Sequence, residues 1–217
     1  MPKKSFSTQN FVIVITAPSG AGKTTVIHEL LKNHKNLRYS ISATTRPKRT
    51  AEVDCRDYFF IDEREFKQKI SEGRFAEWAE VHGYLYGTLV SEIEKILADG
   101  SHVLMDVDVQ GAKKIRGHYP DGVFIYLMPP SMEELKTRLV SRGTEDNASL
   151  ERRLKDSVAE IESIPIFDYL VVNDRLEQTL GEISNIIRAE ELKVKRLPES
   201  DKLAKAYLAR ARKEGWQ

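Results

Sequence analysis

The chain has 217 residues, 41% hydrophobic and 31% charged, with 34 basic side chains against 33 acidic ones. That composition excludes a filament, a tail or a linker and describes one globular domain, or one domain with inserts, able to bury about 70% of its unfolded surface. A net charge of +1 gives no global pull toward nucleic acid or membranes, so any anion has to be met by local clusters. Cys55 alone cannot form an internal disulfide, and the apolar run Phe11 to Ile15 is too short to span a bilayer. Met1 to Asn10 lacks the apolar middle and cleavage site of a signal peptide, so a reducing cytoplasm is expected.

Buried-strand candidates rich in Val, Ile and Tyr come in chain order at Phe11 to Thr16, His102 to Val107, Val123 to Met128 and Tyr169 to Val172. Each precedes a helical pattern, starting near Gly22, Val109, Ser131 and Asp174, and Ser131 with Glu134 forms a capping-box pattern. The alternation predicts an α/β fold with a parallel sheet flanked by helices and ligands at the strands' carboxyl ends. Residues 39–88 break the rhythm with β-like pieces at Tyr58 to Ile61 and Phe75 to Ala79 and a helix near Asp62 to Glu72, and read as an inserted mixed α/β subdomain between core segments 11–38 and 89–196. A polar stretch, Ser141 to Ser149, between helical patterns at Ser131 to Val140 and Leu150 to Ile161, reads as an irregular lid covering about 141–152. Residues 1–10 form an N-terminal tail. In the basic tail at 197–217, Leu203, Tyr207, Leu208 and Ala211 fall on one helical face.

Directly after the first strand stands Ala17-Pro18-Ser19-Gly20-Ala21-Gly22-Lys23-Thr24-Thr25, opening a helix. Strand, glycine loop and helix are the elements of a P-loop: Gly20 and Gly22 let backbone N-H groups converge on phosphate oxygens, Lys23 reaches the transferred phosphate, and the Thr24 hydroxyl can ligate magnesium. Ala17 replaces the first glycine of G-x-x-x-x-G-K-[ST], which requires a negative φ there. The sheet is therefore expected to be of the P-loop NTPase type.

The insert holds candidates for an acceptor. Arg46 and Arg49 flank Pro47, which stiffens the chain into a fork suited to a phosphate dianion, and Tyr58 and Tyr86 offer phenolic donors to the same anion. Glu77, with Ser42 and Thr88, offers a carboxylate and two hydroxyls; a carboxylate accepts the paired imino and amino hydrogens of guanine, which adenine lacks. Each of these residues alone is more often an ordinary solvated side chain, and only the set carries the reading.

The motifs S-G-A-G-K-T, S-I-S-A-T-T-R-P-K-R, D-Y-F-F, F-A-E-W-A-E, Y-G-T, D-V-D-V-Q-G, S-R-G-T-E and V-V-N-D, in this order between about Phe11 and Arg196, closely resemble those of guanylate kinases, nucleoside monophosphate kinases. The resemblance implies that ATP donates its γ-phosphoryl to GMP with Mg2+, in purine metabolism. It implies that Arg46, Arg49, Tyr58 and Tyr86 hold the GMP phosphate and that Ser42, Glu77, Thr88 and Asp108 read its base, with Glu52 and Asp106 also on the acceptor side. Ala51 and Cys55 stand where the family usually has glycines, and Tyr84-Leu85 where an Asn-Tyr pair is common.

Asp106 and Asp108 end the strand His102 to Val107, and Asp106 is placed like the carboxylate that orients magnesium water, so Thr24 and Asp106 are the expected metal ligands. Asp108 also suits a helix N-cap. Arg138, Arg142 and Arg153 bracket the lid; on closure Arg138 would join the donor site, and Arg142 and Arg153 would act catalytically with Lys23 and Arg46. For each, a surface ion pair such as Glu134 to Arg138 is the competing role. By resemblance Asn173 approaches the donor adenine, a turn-forming role being the alternative. The five histidines show no metal-ligand spacing, and a zinc site is not expected. A binding module without turnover would not need Gly22, Lys23, Thr24 and the lid arginines, and another nucleoside or sugar phosphate acceptor fits Glu77 with Ser42 poorly. The expected partners are ATP and GMP rather than nucleic acid or membrane; a homo-oligomer is compatible with the sequence.

Overall fold

The structure is a computed structural model describing residues 8–141 and 147–216, with the backbone alone at 141 and 147–153. Strand β1 (Val12–Thr16) leads through the glycine loop into helix α1 (Lys23–Asn33), followed by β2 (Leu37–Tyr39). Then come β3 (Ala43–Thr44), β4 (Phe59–Phe60), α2 (Glu63–Ser71), β5 (Phe75–Val81) and β6 (Tyr84–Leu89). The chain continues with α3 (Val90–Ala98), β7 (His102–Asp106), α4 (Val109–His118), β8 (Val123–Met128), α5 (Met132–Ser141), α6 (Asn147–Ile161), β9 (Tyr169–Val172), α7 (Leu176–Glu191) and α8 (Ser200–Lys213).

Five strands pair in parallel in the order β2-β7-β1-β8-β9. Every residue of β1 is buried, since helices cover both faces of the sheet, and this is why the strand reads as an unbroken apolar run. Its side chains alternate between two cores. Ile13 and Ile15 pack with Val26, Leu30 and Ile183 beneath α1 and α7, while Val12 and Val14 pack with Ile93, Ala112 and Ile115 beneath α3 and α4. The parallel direction brings the loops after β1, β7 and β9 to one edge, where open α/β sheets bind ligands.

A second, mixed sheet has the order β4-β3-β6-β5. Phe66 of α2 stacks on Phe75 at 4.3 Å between centroids, and Ala43 and Leu85 complete this small core. Ala76 belongs instead to the core under α3 and α4, so the two sheets meet at the start of β5. The small sheet runs from Ala43 to Leu89, and Tyr39 still pairs with Leu104 in the large one.

The polar stretch expected to be irregular from Ser141 to Ser149 is shorter: α5 runs through Ser141 and α6 already begins at Asn147. Asn, Ser and Asp are residues of helix first turns as well as of loops, so composition alone hides where a helix starts. Residues 142–146 lie outside the described ones. The tail forms α8 as its periodicity predicts, with none of its side chains buried and Tyr207 71% exposed. No helix among the described residues is long and apolar enough to cross a membrane.

Candidate active site

The glycine loop ends β1 and caps α1. Gly20 and Gly22 hold φ of 92° and 88°, the left-handed region that glycine enters without strain, and Ala21 N-H donates to the Pro18 carbonyl at 3.1 Å. Among the described non-glycine residues only Cys55 and His82 have positive φ, so Ala17 keeps the negative φ its side chain requires. No side chain caps α1 and its first turn holds no acidic residue, which leaves its N-H groups and positive dipole end facing outward, as an anion requires. Ser19, Thr24 and Thr25 are exposed beside it, while Ala17 and Pro18 are buried.

Lys23 Nζ lies 3.6 Å from Asp106 Oδ2 at the end of β7, both side chains about three-quarters buried. The Tyr39 hydroxyl donates to the other Asp106 oxygen, and burial followed by the Asp106 charge pushes the phenol's pKa well up. Tyr39, at the end of β2, carries no motif that could have announced this contact. Asp108 lies two residues beyond the end of β7, where its carboxylate accepts the Gly111 N-H at 2.7 Å and caps α4; the strand geometry that would align it with Asp106 has ended by then. Its side chain remains exposed at the same edge.

Asn173, expected near a donor base, is bonded on both ends of its side chain behind the loop. Its amide nitrogen donates to the Ala21 carbonyl at 2.7 Å and its amide oxygen accepts from Thr179 Oγ1 at 3.0 Å, in a side chain buried behind the loop. With both ends of the amide engaged, the residue holds the phosphate loop from behind. Arg138 crosses over it: Nε bonds Glu134 at 2.8 Å, the i,i+4 pair, while both terminal nitrogens lie 3.5 Å from the Asn173 carbonyl. Arg142 lies outside the described residues, and Arg153 is placed by its backbone alone, in the first half of α6.

On the small sheet, antiparallel register sets Glu77 across from Thr88 and Thr44 across from Tyr86. One further step puts Ser42 beside Thr88, so Ser42, Glu77, Tyr86 and Thr88 share one face while Phe75, Ala43 and Leu85 fill the core on the other. Thr88 Oγ1 donates to Glu77 Oε1 at 2.8 Å. Burial raises the Glu77 pKa and the Asp108 charge adds to this, against the Thr88 bond and the Lys114 ammonium.

The arginine fork is set differently from the expectation. Glu52 ties it, accepting from Arg46 Nη2 at 2.7 Å and from the Arg49 backbone N-H at 2.8 Å, while the Pro47 carbonyl accepts from Arg46 Nη1 at 2.8 Å. Glu52, expected on the acceptor side, is bonded here to the arginine pair, and as an ionised carboxylate it can only accept hydrogen bonds. It holds the Arg46 pKa above its ordinary value and is itself held low by Arg46. Arg46 also sits 5.5 Å over the Tyr58 ring, whose centroid is 6.1 Å from that of Tyr86. A guanidinium and two phenols thus gather on one side of the small sheet.

A family model described as "Guanylate kinase" matches residues 9–190. A curated guanylate kinase from Thermotoga maritima is 47% identical over 185 residues, 85% of this chain and 89% of that one. One from Nitrosomonas europaea is 49% identical over 182 residues, 84% and 90% of the two chains. The crystal structure of guanylate kinase from Anaplasma phagocytophilum superposes with a TM-score of 0.73 at 34% identity, covering 93% of this chain and 96% of that one.

Proposed function

This chain belongs to the guanylate kinase family of nucleoside monophosphate kinases, and on that premise we propose that it transfers the γ-phosphoryl of ATP to GMP, giving ADP and GDP, with Mg2+, as a step of purine nucleotide metabolism in the cytoplasm. The observation that carries the choice of acceptor is the polar face of the small sheet. Glu77, Ser42 and Thr88 offer a carboxylate and hydroxyls to a purine edge, next to the Arg46, Tyr58 and Tyr86 cluster that suits a phosphate.

The attacking oxygen belongs to an anionic phosphate, so alignment and charge stabilisation are the protein's tasks. Lys23 leaves Asp106 for the transferred group, Arg46 and Arg49 hold the acceptor phosphate, and the α1 N-terminus binds the donor's chain. Arg138, Arg142 and Arg153 are assigned to the donor's phosphates. Asp106 and Asp108 flank the acceptor, Asp106 beside Lys23 and Asp108 as the α4 cap. The Thr24 hydroxyl and the Asp106 carboxylate are hard oxygen donors, fitting a magnesium ion that takes one or two protein ligands and fills its shell with phosphate and water. Bound there, the ion would neutralise phosphate charge.

A coupled assay with ATP and a panel of nucleoside monophosphates tests the reading. GMP should be the preferred acceptor, IMP a poor one, and AMP and UMP nearly inert. Equal use of AMP would overturn the assignment.

A further inference from the structure

The hydroxyl of Tyr39 has a partner in the site but no task there. Tyr39 ends β2, where it pairs in parallel with Leu104 of β7. Side chains two residues apart share a face of a strand, so Asp106 stands beyond Leu104 on that face. Helix α1 covers the same face, and the Tyr39 ring packs against the core that contains Ile27, Leu30 and Leu104. Packing thus sets the position of the ring, and the hydroxyl at its end donates to Asp106 Oδ1. Burial, and after it the Asp106 charge, keeps the phenol protonated, so it stays a donor. The opposite oxygen, Oδ2, is the one that lies 3.6 Å from Lys23 Nζ at the start of α1. A charge-assisted bond between an ammonium and a carboxylate closes to about 2.7 to 2.9 Å, so Asp106 faces the Lys23 ammonium without bonding it. The exposed pair of Lys32 and Glu29, by contrast, closes to 2.7 Å.

We propose that Tyr39 is a positioning residue for phosphoryl transfer: by engaging Oδ1 it anchors Asp106, which then orients Lys23 without capturing it. This rests on the kinase reading above. An aspartate side chain turns about two bonds, and an unanchored carboxylate beside an ammonium draws it into a full ion pair. In a partly buried site that pair competes with phosphate for the same cation, and Lys23 would be withheld from the charge that develops on the transferred group. The phenol opposes this in two ways. It pins the carboxylate through a ring that the core holds in place, and its hydrogen bond takes up part of the carboxylate's negative charge. A phenylalanine would fill the same space, so packing alone does not account for the hydroxyl. The anchor also stands on the fixed side of the connection to the small sheet, since the next residue, Ser40, donates its N-H to Leu104 at 3.0 Å.

The test is a mutant cycle on Tyr39→Phe, Asp106→Asn and their double variant. It is read by steady-state kinetics, thermal unfolding and calorimetric affinity for a non-hydrolysable ATP analogue in the absence of magnesium. Tyr39→Phe should lower kcat about tenfold and leave the KM for GMP within about twofold, with the unfolding midpoint kept. Its affinity for the analogue should fall about fivefold, because the freed carboxylate now competes with phosphate for Lys23. In Asp106→Asn no carboxylate is left to compete, so adding Tyr39→Phe should leave that variant's analogue affinity unchanged. Full kcat or undiminished analogue affinity in folded Tyr39→Phe, or the same fall in the Asp106→Asn background, would overturn the proposal. Should Tyr39→Phe fail to fold, Tyr39→Met, whose flexible side chain adapts to the packed space, replaces it in the cycle. If the native chain binds the analogue but does not phosphorylate GMP, the kinase reading fails separately, and the affinity cycle still decides the role of Tyr39. A native chain that binds no analogue overturns the proposal together with the phosphate site.

Discussion

Glu77 has to be ionised to accept two guanine hydrogens, yet its burial and Asp108 both favour the protonated form, raising its pKa from the ordinary 4.5. Acceptor affinity should therefore fall as pH drops through that raised value. Below it the carboxyl is neutral and offers one acceptor where two are needed, and above it the anion is fully present. In Glu77→Gln the KM for GMP should rise by the equivalent of about 1 to 3 kcal/mol, the worth of a good bidentate pair, while the KM for ATP stays put. The variant should also lose the component of acid sensitivity that the native protein shows beyond titration of GMP itself; identical acid profiles in the two proteins would dismiss Glu77 as the base reader. The residues proposed for this site could be picked out of the sequence because the proposed ligands, guanine and phosphate, each demand a side-chain chemistry that Glu77, Ser42, Arg46 and Lys23 carry in any fold. What Glu52 and Asn173 do was not legible. The sequence places a carboxylate beside two arginines and an amide at a strand end, but only the tertiary arrangement shows their bonds to Arg46, Ala21 and Thr179.

At the scale of the element, the phosphate loop and its neighbours form one assembly. A Cβ added to Gly22 would come within 2.5 Å of Asn173 Nδ2, at a φ of +88° that already strains any other residue. Gly22→Ala should accordingly lower both the unfolding midpoint and the affinity for an ATP analogue, and adding Asn173→Ala should restore part of the stability by removing the clash without restoring the backbone. Additive destabilisation in the double variant would show that Asn173 does not press on the loop. A second joint ties the starts of β1 and β7: Phe11 N-H donates to His102 Nδ1 at 3.3 Å, and His102 Nε2 lies 3.3 Å from Glu191. Burial, the largest influence, depresses the His102 pKa from 6.5. The unfolded chain then binds a proton that the folded chain refuses, so stability should decline as pH falls from about 6.5 toward the lower folded value, before most carboxylates titrate. Denaturant unfolding between pH 7.5 and 5 should show that loss, and His102→Gln should diminish it. Strands β1, β7 and β8 were readable because a parallel sheet covered on both faces demands continuous Val and Ile, whereas β9, expected to be buried, is an edge strand that leaves Leu170 and Val172 exposed and was readable from its β-branched residues alone. Strand β4, Phe59–Phe60, falls within the β-like piece read at Tyr58 to Ile61, but β3 has only two residues and α3 begins straight from β6 at Leu89 with no side-chain cap, so neither of these carries a local signal and only tertiary pairing defines them.

Across the whole molecule, the structure holds its key cations neutralised from within: Lys23 on Asp106 and Arg46 on Glu52. That arrangement suits a protein waiting for two anions that repel each other and must come within about 3 to 3.5 Å before reaction. The small sheet has limited ways to deliver its anion. Its near end is fixed, with Ala76 in the core of the large sheet and Lys114 Nζ bonded to the Trp78 carbonyl at 2.6 Å. Ser40 is likewise fixed, its N-H donating to Leu104 at 3.0 Å. Movement is left to the connections at Ile41 to Ser42 and Leu89 to Val90, and it should swing the far end, with Arg46, Glu52 and Tyr58, toward Lys23. Hydrogen exchange with and without an analogue joining adenosine and guanosine through phosphates measures this directly. Protection should increase across Thr45 to Tyr58 and at the amides of Gly20 to Thr24, and stay level from Phe75 to Trp78, where the sheets are already joined. A uniform increase over the whole small sheet would mean that it moves as a detached body, and no change at Thr45 to Tyr58 despite tight binding would mean that the acceptor site is preformed and the arginines exchange partners in place.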